Sequence, residues 1–427
     1  MTRFCVAAFV FLFVVCAGSR SWAYDIPVAK YPLKVSPNGR HLTFQDGSPF
    51  LVVADAAWQL LRKLNEPDAI QYLNIRKSQA INTILIHLLP AQASHRNIHN
   101  RSPFGDDNNL TKPDQGYFDY LGKIIKGAYD RDMVVGIIVS RKSWNSIFEA
   151  QGEENCRSYG AFVSKSFAKY PNVIWVVGEE ENQNSFIYKS LTDGIRVHSK
   201  GQLIAAFSSC SPMGDADSTG PSDLKFIVPD STVSVSEYEA LSAWQKSLGR
   251  NYKKPFVVAN MELPKEITDQ SSIIRNQAYR SVLSASAGFC HSSTIKNFFP
   301  TWKVNIKQDG AEYLAHFSRV LNRLPWELMQ PDEQISLLPD SLDRAEISAF
   351  FLSNKRMAML YIPSSRSIRL DLTQLHGDDM VAVWYSPRTG KRWAGGEFKA
   401  SSDALIVPPN TQSSWDWILL IGTKNED

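Results

Sequence analysis

The sequence predicts an α/β protein, a (β/α)8 TIM barrel followed by a C-terminal all-β sandwich domain. Three observations support this prediction. Apolar segments alternate with helical segments in about eight units, no glycine-rich phosphate loop follows any apolar segment, and short alternating strands with frequent turns replace the helical pattern after residue 343. Apolar strands alternating with helices are typical of a parallel sheet covered by helices. A doubly wound open sheet is the alternative, and the missing phosphate loop argues against it.

The elements begin with an antiparallel hairpin. The segment "VSPNGRHLTFQDGSPF" (residues 35–50) carries two turn sequences, PNG and QDG, between alternating residues. The first long helix should begin at Asn65, because an N-cap Asn, an early Pro and first-turn acids stand together in "NEPDAI". The barrel strands are predicted in FLVVADAAW (50–58), INTILIHLLP (81–90), VVGIIVSRK (134–142), NVIWVVGEE (172–180), QLIAAFSS (202–209), TVSVSEY (232–238), KPFVVANME (254–262) and GFCHSS (288–293).

Residues 1–23 are predicted to be a secretory signal peptide. Arg3 precedes an apolar stretch at residues 4–17, and "SWA" provides a small-x-small cleavage site after Ala23. The apolar stretch is shorter than the roughly 20 residues of a membrane-spanning helix. We therefore expect a secreted or periplasmic protein with a barrel at residues 24–335 and a β-sandwich at residues 340–427.

Composition excludes several classes of function. The chain has 46 Lys and Arg against 43 Asp and Glu, and this balance does not suggest nucleic acid or a membrane surface as a partner. Cys156, Cys210 and Cys290 follow the signal peptide and permit at most one disulfide. No Cys-x-x-Cys and no cluster of His and Cys is present, so we expect neither a metal ion nor another cofactor.

The carboxyl ends of the strands should carry the chemistry, as they do in barrels of this kind. Two carboxyl groups in an aromatic-lined mouth are typical of glycoside hydrolysis. A single Glu at a strand end is more often solvated or ion-paired, so the run of three glutamates at 179–181 permits both interpretations. The candidates at these ends are Asp55, Trp58, His87, Arg141, Trp144, Glu179, Glu180, Glu181, Asn182, Glu262, His291 and Trp302.

One segment, "NCRSYGAFVSKSFAKYPNVIWVVGEEEN" (155–182), resembles the apiosidase-like glycoside hydrolases, in which such a strand ends in Gly, Gly and a catalytic acid. Three more segments are similar: "SPNGRHLTFQDGSPFLVVADAAWQLL", "SPFGDDNNLTKPDQGYFDYL" and "NQAYRSVLSASAGFCHS". The β-module, with "RMAMLYIPSSRSIRLDL" and "VWYSPRTGK", resembles the domain that usually follows, which is labelled collagen-binding. The resemblance covers nearly the whole mature chain.

The resemblance implies a catalytic pair and a sugar pocket. Glu180, ahead of Glu179 and Glu181, stands at the acid/base position, and Glu262 stands at the nucleophile position, although Met261 replaces the usual Gly. Asp55 and Trp58 match the Asp-x-Ala-Trp motif, which implies sugar-hydroxyl binding and stacking. The remaining strand-end residues are further substrate-binding candidates. The alternatives are a structural role for either histidine, an ion pair for the arginine and a loop anchor for Trp302. These candidates are His87, Arg141, Trp144, Asn182, His291 and Trp302.

The leading hypothesis is a secreted retaining glycosidase acting on an oligo- or polysaccharide. The pKa of Glu180 would be raised while Glu262 is anionic, and the two carboxyl groups would lie about 5 Å apart. The alternative is a carbohydrate-binding protein on a degenerate barrel, because the ends of the fifth, sixth and eighth strands depart from the family pattern. Because of the same departures, the resemblance does not imply that apiose is the substrate. A matrix-binding or proteolytic role has only the label of the β-module in its favour.

Overall fold

The structure is a computed structural model that describes residues 29–179, 186–210, 222–229, 254–259, 270–307, 310–332, 336–338, 347–401 and 403–424. The segment predicted to be a signal peptide lies outside these residues, so its cleavage stays a prediction. Among the described helices, none is long and apolar enough to cross a membrane.

A small antiparallel sheet precedes the barrel and confirms the predicted hairpin. Its strands are β1 (Lys34–Val35), β2 (Leu42–Thr43) and β3 (Pro49–Phe50), paired in that order. The QDG turn between β2 and β3 contains Gly47, whose φ of 87° lies in the region that favours glycine.

Eight parallel strands form a closed barrel, which confirms the predicted fold class. Neighbouring strands follow the chain order, and β10 lies between β9 and β11 so that the last strand closes on the first. The strands are β4 (Val52–Ala56), β5 (Thr83–His87), β6 (Val134–Ile138), β7 (Val173–Glu179), β8 (Ile204–Cys210), β9 (Leu224–Pro229), β10 (Phe256–Ala259) and β11 (Gly288–His291).

The sixth barrel strand is not the predicted one. The segment "LKFIVP" forms β9, which pairs with β8 and β10, whereas the predicted segment at 232–238 lies outside the described residues. The polar Lys225 interrupts the apolar run of β9, yet its side chain is buried. A charged residue at the second position of a six-residue strand left only a short apolar run, which a prediction based on continuous apolar runs did not detect.

Helices cover the outside of the barrel. The predicted start of the helix at Asn65 is confirmed, because the Asn65 side chain accepts a hydrogen bond from the backbone N–H of Asp68 at 2.9 Å. The described helices are α1 (Leu60–Lys63), α2 (Glu66–Ser78), α3 (Gln115–Tyr129), α4 (Asn145–Phe167), α5 (Phe186–Arg196), α6 (Gln270–Leu283), α7 (Trp302–Asn305) and α8 (Glu312–Leu321).

Alternate residues of each barrel strand point to different apolar layers, as the two-residue period of a strand requires. Ala54 of β4 lies in the cluster that fills the barrel interior, together with Val176 of β7 and Phe226 of β9. Val53 lies instead in the larger cluster between the strands and the helices. The face on which a residue lies therefore decides whether it can reach the barrel mouth.

The C-terminal part is an antiparallel β-sandwich, as predicted. The pairing of Met329 with Leu352 places the first strand of its larger sheet before residue 340. The larger sheet has the order β12-β13-β14-β19-β16-β17, and β15 pairs with β18 in a second sheet. The strands are β12 (Met329–Pro331), β13 (Ser348–Leu352), β14 (Met357–Ile362), β15 (Ile368–Asp371), β16 (Asp379–Tyr385), β17 (Arg392–Lys399), β18 (Asp403–Ile406) and β19 (Trp417–Thr423).

The barrel and the sandwich share a continuous apolar core. Tyr279 of α6 stacks on Tyr361 of β14, with ring centroids 5.4 Å apart and an interplanar angle of 12°. The Tyr385 hydroxyl donates to the backbone carbonyl of His316 in α8 at 2.8 Å. Phe350, Met359 and other residues of the sheet belong to the same apolar cluster as the helices of the barrel. The two parts therefore pack as one body.

Candidate active site

The end of β7 has a bulge immediately before the predicted acid. The pairing with β8 shifts register between Val177 and Glu179, and Gly178 between them has a φ of 87°. The Gly178 N–H donates to the Ser140 hydroxyl at 3.1 Å. A Cβ at this position would approach the ring of Tyr188 to 3.2 Å. Bulges of this kind redirect the following side chains and are frequent beside active sites.

Four of the predicted site residues, Glu180, Glu181, Asn182 and Glu262, lie outside the described residues. Their roles in catalysis and binding therefore stay predictions. The described part of the site is the barrel mouth beside β7 and β10, the strands that precede these residues in the chain.

Aromatic rings from three strands meet in this mouth. The half-buried Trp58, which follows β4, has its ring centroid 4.8 Å from that of His87 and 5.9 Å from that of Phe207. Phe207 stacks in turn on Phe226 inside the barrel. Because β4 and β8 are opposite strands of the closed barrel, Trp58 reaches across its opening. The structure thus brings together Trp58 and His87, two of the predicted binding residues.

His87 is a neutral group beside a cation. Burial holds the pKa of the His87 imidazole well below its usual range, and the Arg141 guanidinium lowers it further. Arg141 follows β6 and is partly exposed. A neutral imidazole has one donor and one acceptor nitrogen, so this corner of the mouth combines a neutral imidazole with a guanidinium group.

Asp55 and His291 lie in the barrel wall. Arg76 Nε donates to Asp55 Oδ2 at 2.7 Å, and the Tyr72 hydroxyl donates to the same oxygen. Asp55 and His291 are aligned partners of neighbouring strands, and both side chains have no exposed surface. Asp55 alternates with Ala54 of the interior and shares its side of β4 with Val53 of the helix-facing layer. These positions argue against the direct sugar contacts predicted for both residues.

Trp144 and Trp302 are core residues. Trp144 is fully buried, donates its indole N–H to the Pro90 carbonyl at 2.8 Å, and packs against Phe104. Trp302 is 5% exposed and packs edge-on against Phe298. Neither indole presents a face to the mouth. Trp302 therefore corresponds to the anchoring alternative, and the burial of Trp144 argues against the substrate contact predicted for it.

Two residues of the site were missed from the sequence. Phe207 lies two positions after Ala205 of the barrel interior, so the two-residue period of the strand "IAAFSS" contained the signal that it faces inward. Ser140, directly before Arg141, is buried and holds the bulge of β7 through Gly178. No pattern in the sequence marked that contact, because it joins residues 38 positions apart.

Among the described residues, no group of three or more His, Cys, Asp and Glu residues could hold a metal ion. Cys156 and Cys290 are buried free thiols. Burial raises the pKa of the Cys156 thiol to about 11, which keeps it protonated and unreactive near neutral pH.

The fold and the mouth together define the class of the protein, a (β/α)8 barrel enzyme with a polar and aromatic opening at the carboxyl ends of its strands. Residues 36–327 match the family model "Apiosidase-like, catalytic domain". The chain belongs to this family and is a glycoside hydrolase. Residues 331–422 match the model "Putative collagen-binding domain of a collagenase", so the expected two-part organisation is found in the family models as well.

Experimental structures share the same fold over most of the chain. A glycoside hydrolase family 5 protein from Bacteroides vulgatus is 20% identical with a TM-score of 0.81, covering 92% of this chain and 93% of its own. A second structure, described as a glycoside hydrolase, has the same identity and TM-score and covers 93% and 98%. A maltogenic α-amylase from Thermotoga neapolitana is 12% identical with a TM-score of 0.55, covering 87% and 98%. No curated protein sequence matches the chain.

Proposed function

We propose that the protein is a secreted retaining glycosidase in which Glu180 is the acid/base and Glu262 the nucleophile. The observation that supports this most is the bulge at Gly178, because it lies near the end of β7, immediately before Glu179, and is held by Ser140 of the segment that follows β6. Its position fits a chain that must aim one of these carboxylates at a bond held in the mouth.

The mouth supplies the rest of a sugar site. The half-buried indole of Trp58 suits contact with the apolar face of a sugar ring, and the neutral His87 suits a hydroxyl. Glu180 would protonate the leaving oxygen while Glu262 attacks the anomeric carbon, and Glu180 would then activate the water that releases the sugar. This mechanism requires carboxyl groups about 5 Å apart and predicts retention of configuration.

The test is hydrolysis of aryl glycosides and branched plant and bacterial polysaccharides by the mature protein, beside Glu180→Gln, Glu262→Gln and the matched control Glu179→Gln. We expect hydrolysis to be lost in the first two variants and kept in the third. Nuclear magnetic resonance of the first-formed anomer should show retention. An inverted first product would contradict the assignment of Glu262 as nucleophile.

The same variants and substrates test the alternative assignments of residue and function. Activity that survives Glu180→Gln and disappears in Glu179→Gln would move the acid/base role by one residue. A protein that binds glycans but hydrolyses none of the substrates would favour the carbohydrate-binding alternative. Export of the chain with a new amino terminus at Tyr24, measured by mass spectrometry, would support secretion.

A further inference from the structure

A groove crosses the larger sheet of the β-sandwich next to its junction with the barrel. Its volume is about 460 Å³, which is within the usual range of ligand sites. Strands β13, β14, β16 and β19 line it together with the residues that flank them. The lining residues used below are Leu352, Arg356, Met357, Val381, Val383, Arg392 and Leu420.

The barrel covers one half of this face of the larger sheet, and the groove occupies the uncovered half. Along β14, Tyr361 and Met359 pack in the common core with the barrel, and Met357, two residues further, lines the groove. The same succession is found on β16, where Tyr385 belongs to the core and Val383 lines the groove. Apolar side chains are therefore half-exposed beside a rigid junction, which is a typical property of interaction sites.

Arginines stand at both ends of this apolar floor. Arg356 precedes β14 and Arg392 begins β17; both are exposed. Within the described residues, neither side chain forms an ion pair, whereas Glu397, the carboxylate on the same face beside Val381, is paired with Lys424 at 2.9 Å. The two arginine strands are three strand spacings apart, or about 14 Å across the sheet, and Arg392 aligns with Tyr361 rather than with Arg356, so the two arginines are also offset along the strands. Such separated cations suit an elongated anion better than a small one.

The barrel adds to the positive end of the groove. Burial raises the pKa of the Tyr385 phenol, and Arg319, Arg392 and Arg323 all lie near enough to oppose that change. Arg319 belongs to α8 and Arg323 follows it, and both are exposed. Cations grouped around a concave surface raise the local concentration of anionic ligands.

We propose that this groove binds an acidic polysaccharide, a chain of sugars bearing carboxylate groups, at a site separate from the barrel mouth. Guanidinium groups bind carboxylates with two parallel hydrogen bonds, and the aliphatic floor offers contact to the C–H faces of the rings between them. The choice of a polysaccharide over another polyanion rests on the proposed function. A chain held here stays near the mouth because the two parts are one body, which raises its effective concentration at the enzyme.

The test uses the full mature protein and titration calorimetry with polygalacturonate, its fully methyl-esterified form, and poly-L-glutamate. We expect binding of polygalacturonate only. The double variant Arg356→Gln/Arg392→Gln should bind about tenfold more weakly or worse. Arg369→Gln is the matched control, because this exposed arginine lies on the other sheet and faces Asp403; its binding should equal that of the parent protein.

The outcomes separate this proposal from the proposed function. Loss of binding in the double variant, with an unchanged melting temperature and unchanged hydrolysis of a small aryl glycoside, supports the groove. Val383→Glu should also abolish binding, because it places in the groove a negative charge that repels the carboxylates of the ligand. Equal binding of poly-L-glutamate would favour an acidic protein as the ligand and overturn the proposal, as would polygalacturonate binding that ignores both arginines. If no glycoside is hydrolysed while the arginine-dependent binding persists, the proposed function fails and the groove stands.

Discussion

Two buried carboxylates, Asp55 in the barrel wall and Asp416 at the domain junction, have similar burial and different surroundings. Their exposed fractions are 0% and 2%. Asp55 Oδ2 accepts hydrogen bonds from Arg76 and Tyr72, but among the described residues Asp55 Oδ1 has no hydrogen-bond partner. The carboxylate in the wall is therefore only half satisfied.

Asp416 has partners on both oxygens. Its Oδ2 accepts from Arg275 Nε at 2.9 Å and from the Tyr361 hydroxyl at 3.2 Å. Its Oδ1 accepts from Arg275 Nη2 at 3.1 Å and from Arg388 Nε at 2.9 Å. Buried ion pairs offset their desolvation only with good geometry and additional hydrogen bonds. Asp416 at the junction is therefore more fully hydrogen-bonded than Asp55 in the barrel wall. Its contacts also join the two domains in a defined orientation.

The largest effect is expected where a buried carboxylate loses the guanidinium that contacts it. Arg76→Met should lower the free energy of unfolding by about 3–5 kcal/mol, because it breaks the ion pair with Asp55 inside the wall. Urea denaturation measures this loss. The double variant Asp55→Asn/Arg76→Met should recover most of it. A single variant as stable as the parent would contradict a stabilising role of this ion pair.

Breaking the junction should cost less and give a different signature. In Asp416→Ala, Arg388 can turn to solvent and Arg275 keeps the face of Tyr313, whose ring centroid is 4.7 Å away. We expect a loss of about 3 kcal/mol and a separation of the single unfolding transition into two in calorimetry. Asp403→Ala, which removes an exposed pairing with Arg369, is the control and should change stability by less than about 0.5 kcal/mol. A single, unshifted transition in Asp416→Ala would contradict a role of this residue in coupling the domains.

Backbone strain gives a smaller loss and no change in charge. Gly178→Ala should cost about 1–2 kcal/mol, since φ at this position is 87°. Gly47→Ala is a matched control, because Gly47 has the same φ and its added Cβ would meet nothing within 4 Å. Both variants should lose stability, but only Gly178→Ala should lose most of its hydrolytic activity, because it displaces the residues that follow β7. Equal activity in the two variants would contradict that role of the bulge.

The smallest effect concerns His87, a buried group that, unlike the two carboxylates, is a base, and its lowered pKa favours the neutral form. The pKa of His87 is lowered in the folded protein, so below the ordinary value of 6.5 the unfolded chain binds more protons. The free energy of unfolding therefore falls as pH drops from that value toward the pKa of His87 in the folded protein. The loss is no more than about 1.4 kcal/mol for each pH unit. His41 and His316 also have lowered pKa values. Denaturation at pH 7.5 and 5.5 of the parent and of His87→Gln isolates the part due to His87, and identical slopes would contradict it.

Much of the fold was predictable because its signals are local. The alternation of apolar strands and helices, the turn at Gly47 and the cap at Asn65 each follow from a few neighbouring residues. The sixth strand was not predictable in this way, since Lys225 interrupts its apolar run.

The site was less predictable because both faces of a barrel strand are buried. Without an alternation of polar and apolar residues, the sequence does not state which face a residue occupies. Asp55 and His291 share one register and point to the wall, while His87 on the neighbouring strand β5 meets Trp58 in the mouth. Trp144 and Trp302 illustrate the same difficulty, because a large indole suits a core as well as a sugar platform.

The junction also sets an order for synthesis. Arg275 and Asp416 are 141 residues apart, so the ribosome completes α6 long before Asp416 is made. Until the strands of the sandwich emerge, beginning with β13 and β14, Tyr279 and the apolar faces of α6 and α8 have no cover from it. Nascent chains that expose such surface are prone to aggregate. Truncation before residue 416 should therefore produce a barrel that accumulates in inclusion bodies or on chaperones.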